Sequence, residues 1–411
     1  MNRLEELIEK LCPDGVEYRP LWELTAWDKR FNTVDKYKQN KIYKYTYYLA
    51  ADLKSLEKES GTVKILTTNI SDIWADESDV NDTLSEGEIV CIPWGGNPVV
   101  QYYKGKFITG DNRIATSLDT NILDNKYLYY CMLNKITEIS SFYRGSGIKH
   151  PDMSKVLDLV IPVPPLEVQS EIVRILDNFT ELTAELTAEL TARKKQYEYY
   201  RDELLTFGDD VPQMRLGDLC EVITKGTTPK AYSTNGVYFV KTEAFEGNRI
   251  NMDKLSYIDE ETHNGPLKRS ILKENDILIT IAGATIGKCV ILPKEILPAN
   301  TNQALAIVRL KQNINTRYVA YILQSRYMID YISSNIKGSA QPNLNLQQLN
   351  DFVLPVPPLE EQQRIVDILD RFDKLCNDIS EGLPAEIEAR QKQYEYYRDK
   401  LLSFKSLSLN S

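Results

Sequence analysis

Few residues of this chain combine the types and spacing that catalysis requires. The segment Gly283–Lys288 reads GATIGK and resembles a phosphate-binding loop, but it has three residues between its glycines instead of four, and Cys289 follows where Ser or Thr is needed. This segment is therefore predicted to be a turn next to a strand. The run Asn97-Pro98-Val99 lacks the aromatic residue of an Asn-Pro-Pro-Tyr type of motif, and no glycine-rich cofactor loop accompanies it. We expect the chain to catalyse no reaction by itself.

The histidines and cysteines of the chain also show no pattern typical of a metal or catalytic site. The chain has 6 cysteines without a C-x-x-C pair, and only His150 and His263 supply imidazoles. This pattern predicts no zinc site and no disulfide framework, and neither histidine lies in a recognisable nucleophile context. The N-terminal run MNRLEELIEK mixes charges of both signs, and no stretch approaches the ~18 apolar residues of a membrane span. These features predict a cytoplasmic protein without membrane contact.

The segment from Lys29 to Tyr48 offers binding chemistry instead. It interleaves six basic residues with six aromatic ones and contains a single acid, Asp35. Cations neutralise phosphate groups, and aromatic and polar tips can lie beside them, so this composition suits a nucleic-acid surface. A solvated, tyrosine-rich hairpin is the alternative. The six cations are Lys29, Arg30, Lys36, Lys38, Lys41 and Lys44.

The net charge opposes DNA binding only when it is taken over the whole chain. The 411 residues, roughly two domains of ordinary globular composition, carry 49 Lys plus Arg against 59 Asp plus Glu, a formal charge of −10. By segment, residues 16–150 stand at −1, residues 212–340 at +4 and residues 151–211 at −7. Because phosphate affinity comes from Lys and Arg, these modest values predict weak DNA binding by this chain alone.

An internal repeat supplies the elements that could position the binding residues. The segment Ile161–Phe179 returns as Leu354–Phe372 with an offset of 193, and Lys195–Phe207 returns as Lys392–Phe404 with an offset of 197. The second copy has gained four residues, close to one helical turn, which roughly preserves its inward face. The chain is therefore two half-chains in tandem, each a variable region followed by a nearly constant segment.

The constant segments predict long helices. From Ile172 to Phe207 the apolar positions recur at intervals of three and four or their sum, as in a helix that packs on one partner. The first helix should begin at Leu166 or Glu167 after an extended, proline-rich entry, and Gly382 with a nearby proline should break the second one. Two helices of matching length favour an antiparallel pair with the variable regions at opposite ends. The alternative is a helix buried against its own globular domain.

Short β-like runs and helical segments occur in the variable regions. The runs Glu88–Ile92 and Ile277–Ile281 are predicted strands, and Lys126–Lys135 and Arg317–Ser333 are predicted helices. The predicted fold class is α+β: two α/β-type globular domains separated by two long antiparallel helices that form a coiled-coil spacer, with a pseudo-two-fold internal repeat. The predicted domain bounds are residues 1–150, 151–210, 211–343 and 344–411.

These features together resemble the specificity (S) subunit of type I restriction-modification systems, and the spacer is most similar to that of the IC-type group. The resemblance rests on the two PVPPLE-x-Q-x-x-I-V-x-I-L-D segments, Pro162–Asp177 and Pro355–Asp370, on the two KQYEYYRD-x-LL segments, and on the TAEL tandem at Thr183–Leu190. It covers essentially the whole chain, in the order of recognition domain and conserved region, repeated once.

The resemblance implies a DNA-reading adaptor. Each target recognition domain would read one half of a bipartite, asymmetric sequence in double-stranded DNA, while the helices would set the number of unread base pairs and dock the methyltransferase subunits. Two modification subunits would supply S-adenosylmethionine-dependent adenine-N6 methylation, and restriction subunits would add ATP-driven translocation and cleavage. S-adenosylmethionine, ATP and Mg²⁺ are thus expected on those partners and not on this chain.

Candidate DNA contacts are the residue types that reach phosphates and base edges. Arg and Lys reach guanine or phosphate, and Asn302 and Gln303 have the donor-acceptor pair that suits adenine. The long helices are assigned to partner binding and internal pairing. The predicted contacts are Arg30, Lys36, Tyr37, Lys38, Tyr43, Lys44, Trp94, Arg113, Arg144, Ser146, Lys149, Lys225, Thr227, Thr228, Lys241, Lys288, Asn302, Gln303, Lys337 and Ser339.

Two other classes of protein stay open at this point. One is a structural coiled-coil protein with two protein-binding end domains. In that case no gene next to this one would encode an adenine methyltransferase motif, and the protein would retain no DNA on co-purification. A self-sufficient modifying enzyme would transfer methyl groups as a purified chain.

Overall fold

A computed structural model of the chain describes residues 3–80, 84–335, 343–378 and 381–407. The chain forms two compact units, the first from residues 1–184 and 389–411 and the second from residues 185–388. Each unit therefore contains one variable region together with parts of both constant segments.

The described part of the first unit is a mixed helical and β structure. Its elements up to the first long helix are α1 (Arg3–Leu11), β1 (Glu17–Pro20), α2 (Leu21–Leu24), β2 (Thr25–Trp27), α3 (Ala50–Ser55), β3 (Val63–Leu66), β4 (Trp74–Ala75), α4 (Glu77–Val80), β5 (Ser85–Pro93), β6 (Gln101–Thr109), β7 (Asn112–Ser117), α5 (Asn125–Asn134), α6 (Ile136–Ser141), β8 (Tyr143–Arg144), β9 (His150–Pro151), α7 (Met153–Leu157) and β10 (Val160–Val163).

A six-stranded sheet in the order β2-β7-β5-β6-β3-β4 organises this unit. Its neighbouring strands are antiparallel apart from β3 and β6, which run parallel. Side chains alternate between the faces of a strand. On β5, Val90 and Ile92 join the core that contains α5, whereas Ile89 and Cys91 pack with Phe107 in a second cluster. Apolar clusters cover both faces of the sheet. Polar side chains therefore reach solvent at the ends of the strands.

The second unit begins within the first long helix, α8 (Leu166–Leu204), and ends within the last one. Its other elements are β11 (Gln213–Arg215), α9 (Leu216–Leu219), β12 (Cys220–Lys225), β13 (Val237–Val240), β14 (Phe245–Glu246), β15 (Arg249–Ile250), β16 (Ser256–Ile258), α10 (Glu260–Asn264), β17 (Ile277–Thr280), β18 (Cys289–Ile291), β19 (Ala299–Thr301), β20 (Leu305–Leu310), α11 (Thr316–Leu323), α12 (Arg326–Asn335), α13 (Leu346–Asp351), β21 (Val353–Pro355), α14 (Leu359–Asn377) and α15 (Leu383–Leu401).

The two larger sheets form most of the globular part of this unit as the structure describes it. One has four strands in the order β12-β20-β17-β18, and the other has three in the order β16-β13-β19. On β17, Ile277 and Ile279 share a core with residues of α11, and Leu278 faces a separate cluster with Val290 and Ile307. The alternation seen in the first unit is thus repeated here.

The predicted long helices are confirmed, with their starts. Helix α8 begins at Leu166 and has 39 residues. The second constant segment is divided, because α14 ends at Asn377 and α15 begins at Leu383. The predicted break at Gly382 is therefore confirmed, and Pro384 lies in the first turn of α15, where a missing N–H costs no helical hydrogen bond.

The helices pair inside each unit and also cover the globular part of that unit. In the first unit Phe179 of α8 stacks on Tyr397 of α15 with ring centroids 5.5 Å apart, and in the second Tyr200 of α8 stacks on Phe372 of α14 at 5.9 Å. Ile172 is fully buried in the core of the first variable region. The apolar positions from Ile172 to Phe207 therefore have both predicted roles: they pair the helices, and they are buried against a globular domain.

One predicted element needs correction. The helix predicted from Arg317 to Ser333 is two helices, α11 and α12, because Ser325 interrupts it. The Ser325 hydroxyl donates to the carbonyl oxygen of Ile322 (2.7 Å) and accepts the N–H of Tyr327 (3.3 Å). Serine competes for backbone groups in this way, ending one helix and capping the next.

Backbone segments from both ends of the described chain pair within the first unit. The Val16 N–H donates to the Lys405 carbonyl oxygen (2.9 Å), and the Leu407 N–H donates to the Val16 carbonyl oxygen (2.9 Å). The Tyr18 hydroxyl also donates to the carbonyl oxygen of Phe404 (2.9 Å). In the second unit, a continuous chain from α8 into β11 occupies the equivalent place.

Two further observations concern the described residues. The six cysteines are all free and buried, and burial raises the pKa of thiols such as Cys91 and Cys289 to about 12. Within the described ranges, no helix is both long and apolar enough to cross a membrane, and no group of His, Cys, Asp and Glu could hold a metal ion.

Candidate nucleic-acid interface

In the first unit, three strands of the large sheet present their ends at one edge. Strand β7 pairs with β5 through Asn112 and Pro93 and with β2 through Ala115 and Trp27. The residues that follow β2 and β5 and those that precede β7 must therefore lie together. The N–H of Trp94, directly after β5, donates to the carbonyl oxygen of Asp111 (2.7 Å), next to β7.

The Trp94 side chain is the centre of this edge. The Arg113 guanidinium carbon lies 4.2 Å from the centroid of the indole ring, and the Lys29 ammonium lies 5.5 Å from it. The His150 ring has its centroid 5.2 Å away, and its Nδ1 is 2.7 Å from the Trp94 carbonyl oxygen. The indole is thus surrounded by two cations and an imidazole, which fix its orientation.

Arg113 is held below the surface and supports the indole from inside. It is 3% exposed and donates from one guanidinium nitrogen to the carbonyl oxygen of Asn112 (2.7 Å). Its Nε has no hydrogen-bond partner in the described part of the chain. Close by, the buried Asp28 carboxylate accepts the Ile114 N–H (2.9 Å) and the Tyr47 hydroxyl (2.6 Å). Burial raises the pKa of Asp28 above its ordinary value, and hydrogen bonds and Arg113 oppose that shift.

A cavity of about 590 Å³ adjoins this cluster and brings three predicted contacts together. Its lining includes Arg30, Trp94 and Arg144, with His150 beside them. The neighbouring loop exposes Ser146 and Lys149. That loop needs glycine at 145, because the backbone there has φ of +143° and an added Cβ would lie 2.8 Å from the Ile148 carbonyl oxygen. The Lys149 carbonyl oxygen accepts the N–H of Gly96, which ties the loop to the strand edge (3.1 Å).

The rest of the basic, aromatic segment has other partners. The Lys38 ammonium forms an ion pair with Asp158 at 2.6 Å, and the Tyr37 ring meets Trp22 edge-on at 5.6 Å. The Tyr43 N–H donates to the Trp27 carbonyl oxygen (3.0 Å). Members of the segment thus differ in their neighbours and in their exposure. Lys36 and Lys44 are exposed, while Tyr43 is partly buried.

The second unit has an equivalent edge, where β12 ends and β20 begins. The Gly226 N–H donates to the Leu305 carbonyl oxygen (3.0 Å), and the Thr227 N–H donates to that of Thr301 (2.9 Å). The chains approach so closely that a Cβ at Gly226 would lie 2.1 Å from the Asn302 carbonyl oxygen. Lys225, Thr228 and Gln303 are exposed around this crossing, whereas Thr227 and Asn302 are partly buried.

Other predicted contacts in the second unit have defined neighbours. The Asn302 Oδ1 already accepts the Ala304 N–H (3.1 Å), which occupies one of the two groups expected to read adenine. The Lys241 ammonium lies 4.9 Å from the ring centroid of Tyr232. Lys288 is exposed and is the last residue of the turn predicted at Gly283–Lys288, which is confirmed between β17 and β18. The predicted contacts Lys337 and Ser339 lie outside the described residues.

Sequence reasoning missed two members of these edges. His150 was not among the predicted contacts, since nothing in the sequence connects it with Trp94, 56 residues earlier. Asp28 was missed because a single acid at the end of a short strand carries no pattern. Trp94 and Arg113 were each predicted as DNA contacts, but their contact with each other was not predicted, and Arg113 lies buried beneath the indole instead of at the surface.

Comparison with known proteins adds a family to this geometry. A family model described as "Type I restriction modification DNA specificity domain" matches the chain twice, at residues 36–193 and 208–389. The specificity subunit of the Escherichia coli type I restriction enzyme EcoR124I/EcoR124II is 34% identical, with 98% of this chain and 97% of that one aligned. A putative type I restriction enzyme specificity subunit from Haemophilus influenzae is 35% identical over 78% of this chain and 83% of its own.

Solved structures share the fold at lower sequence identity. An S subunit of a type I restriction-modification system from M. genitalium has a TM-score of 0.57 at 15% identity, covering 94% of this chain and 96% of that one. A structure described under complex assembly and conformational transition of the type I R-M system has a TM-score of 0.57 at 17% identity, covering 95% and 98%. The predicted resemblance is confirmed by the family match over most of the chain. The chain belongs to the DNA specificity subunits of type I restriction-modification systems.

Proposed function

We propose that each unit reads one half of a bipartite, asymmetric target in double-stranded DNA, and that the chain itself is non-catalytic. The observation that carries this proposal is the equivalent sheet edge in each unit, where cations and an aromatic or amide side chain collect at the ends of strands. Such edges supply phosphate contacts for orientation and polar tips for base readout. The alternative of a structural protein with protein-binding ends has no support from the family match.

The proposed contacts differ in what they would do. Exposed cations would bind phosphates or guanine, and Trp94 would pack against the DNA. Arg113 would act through Trp94, because its guanidinium is buried beneath the indole. The exposed or partly exposed candidates are Arg30, Lys36, Tyr37, Lys38, Tyr43, Lys44, Arg144, Ser146, Lys149, Lys225, Thr227, Thr228, Lys241, Lys288, Asn302 and Gln303.

The constant helices would dock two modification subunits, and restriction subunits would join that complex. A surface that occurs twice in one chain offers two equivalent sites to one kind of partner. Tyr199 and Tyr396 occupy the same position of the repeat and are 62% and 61% exposed, as residues awaiting a partner would be. S-adenosylmethionine, ATP and Mg²⁺ would bind to those partners in the cytoplasm.

The domain bounds proposed for these roles are residues 1–150 and 211–343 for the two target recognition domains, and 151–210 and 344–411 for the helical regions. The TAEL tandem within α8 would contribute to the number of unread base pairs between the half-sites. These bounds follow function, whereas the two compact units cut through both long helices.

Methylome sequencing of a strain with and without this gene tests the proposal. We expect adenine methylation at one bipartite motif with a fixed spacer, present only when the gene is present. A purified chain should transfer no methyl group until a modification subunit is added. Methylation that is unchanged by deletion of the gene, in a strain that expresses the modification subunit, would refute the proposal.

A further inference from the structure

In the first unit, a hydrogen-bonded joint attaches α5 to α8. The Tyr130 hydroxyl donates to Asp177 Oδ1 (2.6 Å), and the Lys126 ammonium donates to Asp177 Oδ2 (2.7 Å). Tyr130 is 2% exposed, and burial together with the Asp177 hydrogen bond raises the pKa of its hydroxyl. Nearer the start of α8, Gln169 Oε1 accepts the Asp124 N–H (2.9 Å). Helix α5 is thus held at two points about 12 Å apart along α8.

The second unit contains the same joint at the equivalent positions. The Tyr321 hydroxyl donates to Asp370 Oδ1 (2.6 Å), and the Arg317 guanidinium donates to the same oxygen (2.9 Å). The Gln362 Oε1 accepts the Asn315 N–H (3.0 Å). The two variable regions have little sequence in common, yet both attach to their long helix through a cation-Tyr-x-x-Tyr pattern.

Each joint connects the long helix to the strands that carry the proposed reading edge. Helix α5 packs on β5, β6 and β7, and its buried Leu128 and Met132 share a core with Val90 and Ile92 of β5. Strand β5 leads directly into Trp94. Because interiors are close-packed, α5 cannot turn on α8 without moving this edge. Helix α11 packs on β18, which follows Lys288 and is connected through β17 to β20 of the second edge.

We propose that the two tyrosine–aspartate joints are positioning devices that determine how strictly the subunit selects spacer length. This inference rests on the proposed reading of a bipartite target. Without the tyrosine hydroxyl, α5 keeps its attachment at Gln169, and only the long, partly exposed Lys126 side chain still binds Asp177, so α5 can pivot at Gln169. Since DNA rises ~3.4 Å per base pair, a reading edge displaced by about that distance accepts a spacer one base pair longer or shorter. The bases read within each half-site stay the same.

The second joint has an additional brace. Strands β14 and β15 form a hairpin within residues 241–255, and this hairpin reaches α14. The Asn248 amide donates to Asp373 Oδ1 (2.7 Å), and the Arg249 guanidinium donates to Asp378 Oδ2 (2.9 Å). The corresponding connection in the first unit, residues 67–73 between β3 and β4, is shorter. The first joint should therefore depend more on its tyrosine than the second.

Variants of the full subunit, expressed with its modification subunit in a strain without restriction activity, test this inference. We expect Tyr130→Phe and Asp177→Asn each to raise the ratio of off-by-one to native spacers in the methylome by about tenfold, the scale of one hydrogen bond to a charged group. Tyr321→Phe should have a smaller effect until Asn248→Ala and Arg249→Ala are added. The matched control is Tyr129→Phe, which removes a hydroxyl from the same helix and leaves the Tyr130–Asp177 bond in place.

Two results would overturn the inference. One is an unchanged spacer distribution in all of these variants, and the other is methylation that falls equally at every site without any off-by-one product, as simple instability would cause. Failure of the proposed function gives a different result, because the unmodified subunit would then direct no bipartite methylation at all.

Discussion

The two units have the same framework and different edges. The sheet order β2-β7-β5-β6 in the first is matched by β12-β20-β17-β18 in the second. The nine-residue strand β6 is continuous, whereas its counterpart is divided into β18 and β19 by residues 292–298. The edge of the first unit presents Trp94 with its cations, whereas the edge of the second presents Lys225, Gln303 and their neighbours.

This difference indicates which features serve folding and which serve reading. Sheet order and the tyrosine–aspartate joints are the same in both units, since both units must hold a globular region on a long helix. The exposed side chains at the edges are not the same, and base readout depends on their donors, acceptors and shape. The proposed asymmetric target would follow from one framework that carries two different edges.

The largest effect should come from changing a feature that belongs to one repeat alone, the TAEL tandem of α8. Deleting Thr187–Leu190 removes about one helical turn, ~6 Å, against a rise of ~3.4 Å per base pair. We expect methylation to move to targets whose spacer differs by one or two base pairs. Both half-sites should be unchanged in the methylome, and an altered half-site would contradict this role.

A smaller effect is expected from crowding the second edge. The Gly226→Ala methyl group would lie 2.1 Å from the Asn302 carbonyl oxygen, so the crossing of the two chains must open. We expect a loss of about 2–3 kcal/mol in unfolding free energy, measured by thermal denaturation, and weakened readout of that half-site. The matched control in the first unit is Gly147→Ala, which would meet no atom within 4 Å. Equal stability of the two variants would show that the close crossing is unimportant.

Single cations should have the smallest effects and should separate the two edges. We expect Arg30→Ala and Lys225→Ala to lower the DNA affinity of the assembled complex by about 1–3 kcal/mol, each relaxing the sequence preference in its own half-site or reducing the salt dependence. Binding curves on targets altered in one half-site measure this. Lys58→Ala is the control, because Lys58 is not one of the proposed contacts and already pairs with Asp76 and Asp79. A change in the opposite half-site would argue against one edge per half-site.

The sequence allowed prediction of those features that repeat or have a period. The duplicated segments predicted the family and the helices, and the stripe from Ile172 predicted the buried face. The tyrosine–aspartate joint was not predicted, because Tyr130 and Asp177 lie 47 residues apart and only the fold brings them together. The Ser325 break was missed for a different reason, since a serine in a helical pattern interrupts it only when local hydrogen bonds favour that conformation.

The pairing of Val16 with the segment around Lys405 has a consequence for how the chain can be assembled. In the first unit this junction is non-covalent, made by hydrogen bonds and by apolar packing, while the second unit bridges the equivalent place with covalent chain through the exposed Asp209 and Asp210. A nick between these two aspartates would leave the second unit with a junction of the type that the first unit already has. Because each unit draws helix from both half-chains, the nicked fragments should stay associated, and separately expressed halves should complement each other.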